Sequence, residues 1–163
     1  MKTGWKIVIV VVIIAATITF ASLFYFIWNG FSGTGPMIPS VATSKAPVTG
    51  GWQINILAIS HTVSWDDIKV QLDDGTDSVG WSIKAADLDG GFNITASYAT
   101  KLLGTLSVVL TVTDNSGNGF VSSTNYLTLT ANPAFSSATT YSAVLIYEPV
   151  GGPMPGGVTF TGV

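Results

Sequence analysis

The chain has 163 residues, of which six are basic, nine are acidic and none is cysteine, for a formal net charge of −3. All six bases are lysines and they form no cluster, which argues against nucleic-acid binding. The lack of cysteine excludes disulfides, thiolate metal sites and a thiol nucleophile.

The first element is apolar. Residues 7–28 form a run of 22 residues without a charge. As a helix rising 1.5 Å per residue it extends about 33 Å, enough to cross a bilayer core of about 30 Å. It is apolar on every face, so it must meet lipid or other helices all round. Lys2 and Lys6 precede it and the next base is Lys45, so the positive-inside rule places the N-terminus in the cytoplasm and the bulk of the chain outside. Trp5, Tyr25 and Trp28 stand at its ends, where interfacial aromatics concentrate. Three readings fit. One is a secretory signal cleaved near Ala21-Ser22, though the apolar run is long for that and continues past the site. The second is a permanent single-span anchor. The third is a short basic leader, Met1-Lys2-Thr3-Gly4, ahead of a helix that waits in the membrane and later packs against identical helices.

Residues 29–51 are rich in Gly, Ser, Thr and Pro and read as an extended linker. From Trp52 the pattern is β. Residues 53–59, 68–72, 106–113, 126–130, 141–147 and 158–160 alternate or are β-branched, and 79–83 adds a further candidate. Turn clusters at 73–75, 89–91, 115–119 and 151–153 separate them. About seven short strands imply a β-sandwich. The expected fold class is therefore α+β: a long N-terminal hydrophobic helix followed by an all-β, sandwich-like domain. The expected organisation is a leader at 1–4, a membrane or filament-core helix at 5–28, a linker at 29–51 and an extracellular β-domain at 52–163.

Chemistry-bearing groups are sparse. His61 is the single histidine, so no second imidazole exists for a metal site or a relay, and no Gly-x-Ser-x-Gly elbow occurs. Asp73-Asp74-Gly75-Thr76-Asp77 and Asp87-Leu88-Asp89-Gly90 invite a calcium reading, but neither has the glutamate that closes a twelve-residue calcium loop. Asp beside Gly is also what tight turns require. Asn93-Ile94-Thr95 is the one glycosylation sequon, which makes Asn93 a candidate acceptor for an N-glycan. Trp65 is expected in the core, and Trp81 either there or at a subunit interface. The expectation is a non-enzymatic protein with no catalytic, metal-binding or cofactor-binding residues.

The leader and apolar run, residues 1–28, resemble those of archaeal type IV pilins and pilin-like proteins, relatives of the archaellins. Two further segments are similar to parts of that family's globular domains: Val63-Ser64-Trp65-Asp66-Asp67-Ile68-Lys69-Val70, and the tail from Tyr141 to Phe160. The resemblance implies membrane insertion, cleavage between Gly4 and Trp5 by a prepilin peptidase, and handling by a pilus assembly machinery. It also implies self-assembly into a homo-oligomeric helical filament outside the cell. The chain departs from the bacterial pattern at Ile9, the fifth position after the cut, where those pilins carry glutamate.

Overall fold

Ile68, Val70 and Leu72 point one way along their strand and Lys69 and Gln71 the other, so one face is buried and the other is not. This period-two pattern recurs along the chain and sets the architecture. In the computed structural model, which describes residues 37–162, eleven strands form. They are β1 (Val41–Val48), β2 (Gly51–Ile59), β3 (Ile68–Asp73), β4 (Ser78–Ser82), β5 (Ile94–Ser97), β6 (Lys101–Leu103), β7 (Leu106–Asp114), β8 (Tyr126–Asn132), β9 (Tyr141–Tyr147), β10 (Gly152–Pro153) and β11 (Val158–Phe160).

Every pairing is antiparallel. A six-stranded sheet has the order β1-β2-β8-β7-β5, with β6 also on β7; a five-stranded sheet has the order β10-β9-β3-β4, with β11 also on β9. Register places apolar partners opposite one another on the inner faces: Ile54 with Leu127 and Val112 with Leu127 in the first sheet, Val70 with both Leu145 and Trp81 in the second. These residues and their neighbours make one continuous core. A fully buried aliphatic side chain contributes about 1.5–3 kcal/mol of transfer free energy.

The sandwich has two distinct ends. The chain enters at one, where Ser40 and Ser60 exchange hydrogen bonds, Trp65 N–H donates to the Gly119 carbonyl and Glu148 N–H donates to that of Asp67. Trp65 plugs the core there and is fully buried. The far end carries the β1–β2, β3–β4 and β6–β7 hairpins. Phe135, Tyr141 and Phe160 close the core at that end, with ring centroids 4.8–5.7 Å apart.

The expected fold class needs correction. The described residues are all-β, with two three-residue 3-10 turns, Trp65–Asp67 and Ala85–Asp87, and no α-helix. No helix among them is long and apolar enough to cross a membrane. The helix expected over residues 5–28 falls outside the described residues, as does the leader at 1–4. The linker boundary also moves, because Val41–Val48, inside the span read as linker, is strand β1. Eleven strands stand where about seven were expected, since β1, β6 and β10 carry little or no alternation of their own and β5 alternates over only four residues.

Leu129 sits at the middle of β8, fully buried, between Trp52 and Leu110 on the flanking strands. Leu129→Ala is expected to cost about 2–5 kcal/mol, read as a lower midpoint in urea unfolding of the β-domain with an unchanged slope.

Candidate functional site

A groove opens at the entry end of the domain. β8 pairs with β2 only as far as Asn55, so the last residues of β2 have β1 on one side and open space on the other. A register irregularity between Ala42 and Thr43 leaves Leu57 as an extra residue on β2, since Thr43 opposes Ile56 and Ala42 opposes Ala58. Such a bulge breaks the in–out alternation, and Leu57 is 55% exposed while Ile54 and Ile56 are buried. The opposite wall is the β7–β8 loop, residues 115–125. The groove, about 690 Å³, is lined by Leu57, Ile59, His61, Asn118, Phe120 and Ser122 among others, none of them acidic, Lys or Arg.

The loop wall is held by buried polar groups. Asp114, fully buried, accepts from Ser116 N–H at 2.9 Å, the Ser116 hydroxyl at 2.6 Å and Gly117 N–H at 3.0 Å. Asn125 accepts from Asn115 N–H at 3.2 Å and donates to the Phe120 carbonyl at 3.0 Å. Gly117 lies so close to Gly91 that a Cβ there would sit 1.3 Å from the Gly91 oxygen, so only glycine permits the contact. The loop is thereby fixed against residues 89–93 as well as against the sandwich.

The residues singled out from sequence are dispersed. Gly4 and Trp5 lie outside the described residues. His61 is exposed on the groove rim, its Nδ1 2.9 Å from the Ser60 hydroxyl. Trp65 and Trp81 are both core residues, and the Trp81 indole donates to the Ala99 carbonyl at 2.8 Å. The aspartates serve turns. Asp73 accepts from Gly75 N–H at 2.7 Å, Asp74 accepts from Asp77 N–H at 2.7 Å and Thr76 N–H at 2.9 Å, and Asp66 accepts from Ala85 N–H at 2.8 Å. Among the described residues no three His, Cys, Asp or Glu side chains come together as a metal cluster would require. Asn93 is exposed in the turn before β5, with φ of 59°. Left-handed backbone is tolerated by asparagine better than by most residues, which gives the turn its own reason for that side chain.

Sequence reasoning passed over Leu57, Phe120 and Asp114. The four consecutive apolar residues Ile56-Leu57-Ala58-Ile59 were a signal for the first, because a half-buried strand should alternate. Nothing in the sequence distinguishes Asp114 from the other turn aspartates. No protein-family model matches this chain, and comparison with curated proteins finds no match.

The hydrogen bonds from Asp77 and Thr76 hold the Asp74 carboxyl below its ordinary value of 3.8. A depressed folded pKa means the stabilisation is present above the unfolded value and is lost as pH falls through the folded one. Asp74→Ala should therefore be less stable than the native chain above about pH 4. The gap should close on acidification below 3.8, as followed by urea midpoints across the pH range.

Proposed function

We propose that the chain is a structural, non-catalytic subunit of a type IV pilus-like extracellular filament. It is inserted in the membrane through its N-terminal apolar run and assembles with copies of itself. The observation that carries this reading is the arrangement of the sequence: a four-residue basic leader ending in Gly4, then 22 uncharged residues, then a charge-poor β-domain. An apolar run with no polar face exchanges lipid for identical neighbours at little solvation cost. A domain carried outside on such a run needs no disulfide if its own core suffices, and this one has a continuous core spanning both sheets. Prepilin-peptidase cleavage between Gly4 and Trp5 belongs to the same proposal.

A second reading is supported by the groove. A concavity of about 690 Å³ without Asp, Glu, Lys or Arg in its lining is also what a single-pass surface protein would present to a partner or a glycan. The two differ in what is isolated from cells. The filament reading expects sheared surface appendages, visible by negative-stain microscopy, whose subunit begins at Trp5 by N-terminal mass spectrometry. Detergent-soluble monomers retaining Met1, with no fibres, would establish the anchored protein instead.

Ile14→Asp places a carboxylate in the middle of the apolar run. That costs about 2.5–3.5 kcal/mol on the milder insertion scale. Fibre yield from cells carrying Ile14→Asp is expected to fall at least tenfold, and wild-type yield would count against the filament reading.

A further inference from the structure

The exposed apolar residues of the domain are not scattered. Within residues 38–162, Ile38, Leu57, Phe92, Phe120 and Val150 all lie at the entry end, and Leu102 on β6 is the exception. Phe92 stands out, with 85% of its surface open to water. It occupies the tip of the turn before β5, on a loop that is braced rather than loose. Gly90 N–H donates to the Gly117 carbonyl, Asn93 N–H donates to the Asn115 carbonyl, and Asp89 bridges Asn118. A large aromatic held rigidly in water is an anchor without a pocket. The groove between Leu57 and Phe120, exposed by 55% and 44%, sets these apolar side chains and Ile59 among serines, Thr62, His61 and Asn118.

We propose that Phe92 of one copy seats in the Leu57–Phe120 groove of a neighbouring copy, making the entry end the lateral contact between subunits. The inference rests on the filament reading above and names the surface through which the β-domains meet. Charge favours it. Residues 38–162 carry four lysines against nine acids, a net of −5, so two copies repel over most of their surface. The groove and the segment Phe92-Asn93-Ile94-Thr95-Ala96-Ser97 carry no Asp, Glu, Lys or Arg, and Asp89, bridged to Asn118, is the one acid beside both, so repulsion there is less than between the aspartate-bearing far ends. The position of the chain favours it too. The 36 residues that precede the described domain join it at this end, so a filament that gathers copies through those residues raises the local concentration of entry ends. Knob and pocket are different surfaces of one domain, and such a heterologous contact propagates when its rotation does not close. A single aromatic buries about 150–250 Å². That is well short of a stable interface of about 800 Å² per partner. The contact therefore adds order to copies already assembled and does not drive free domains to pair.

The chain lacks cysteine, so introduced thiols are unambiguous. Thr95→Cys sits beside the knob and removes the sequon threonine, so no sugar shields Phe92. Ser123→Cys sits on the rim of the groove. Filaments assembled from a mixture of the two full-length variants are treated with a short bismaleimide. An inter-copy cross-link between the two positions is expected. It should fall at least tenfold when Phe92→Ser is added to the Thr95→Cys chain, and be missing when Thr49→Cys, on the far hairpin, replaces Thr95→Cys. Fibres in which the pair does not cross-link, or cross-links equally with Phe92→Ser, would overturn this contact while leaving the filament reading intact. Monomers in place of fibres for the unsubstituted chain would overturn the filament reading and the contact with it.

Discussion

Two open sheets laid face to face bury a core but leave edges, and the rest of this structure depends on how those edges are closed. An unpaired edge strand offers its main chain to any other strand. Here each side of the sandwich is closed by a lysine and a tryptophan. On one side the Lys45 ammonium donates to the Thr159 carbonyl and lies 5.4 Å from the Trp52 ring, while the Trp52 indole donates to the Thr161 carbonyl at 2.8 Å. On the other the Lys101 ammonium donates to the Gly80 carbonyl and lies 6.0 Å from the Trp81 ring, while the Trp81 indole donates to the Ala99 carbonyl. In each case the lysine satisfies a carbonyl on the opposite sheet, and the aromatic beside it holds the ammonium at the seam. A cation over a ring is worth about 0.5–1 kcal/mol at exposed sites. The larger effect is steric and electrostatic: two of the four lysines of the domain are spent where another strand would otherwise add.

Closed seams leave the ends as the surfaces open to variation, and the two ends differ. The far end holds Asp73, Asp74 and Asp77 on its β3–β4 hairpin and is sealed beneath by aromatic rings. The entry end holds the groove and the exposed apolar residues. The polar scaffold under it is rigid because Asp114 and Asn125 are buried and engaged. Among the described residues one Asp114 carboxylate oxygen and the Trp65 indole N–H have no hydrogen-bond partner.

How much of this was legible depended on whether a strand stood on its own pattern or on its neighbours. β3 and β8 alternate apolar and polar residues because one face is core and the other solvent, β7 and β9 are runs rich in apolar and β-branched residues, and all four were readable. β1 was not. Its sequence, Val-Ala-Thr-Ser-Lys-Ala-Pro-Val, has the composition of a linker, and Pro47 argues against a strand. At an edge, however, a missing N–H faces no partner, and β1 is an edge strand held by β2 on one side. β5 and β6 are short and exist because β7 is long enough to pair with both. The aspartate turns were legible for the reason given at the outset, local hydrogen bonding by Asp next to Gly. The groove was legible only at Leu57, through the apolar run 56–59, because its shape arises from where β8 stops pairing with β2, which no local pattern encodes.

The same register explains why a groove free of Asp and Glu exists in an acidic domain at all. β8 leaves β2 at Asn55 because residues 115–125 must turn back from β7, and that turn is fixed by Asp114 and by the Gly91–Gly117 approach. Had β8 continued, its residues would have covered Leu57 and Ile59 and extended the sheet. The domain instead keeps a bulged, one-sided strand end beside the point where the rest of the chain joins. A bulge of that kind stops a sheet from growing by edge addition, since it twists the ladder out of register. Whatever meets this surface must therefore recognise side chains and shape rather than extend the main-chain ladder. An aromatic anchor entering between Leu57 and Phe120 does that, and a generic strand does not, so the feature that protects the sheet edge also makes the surface selective.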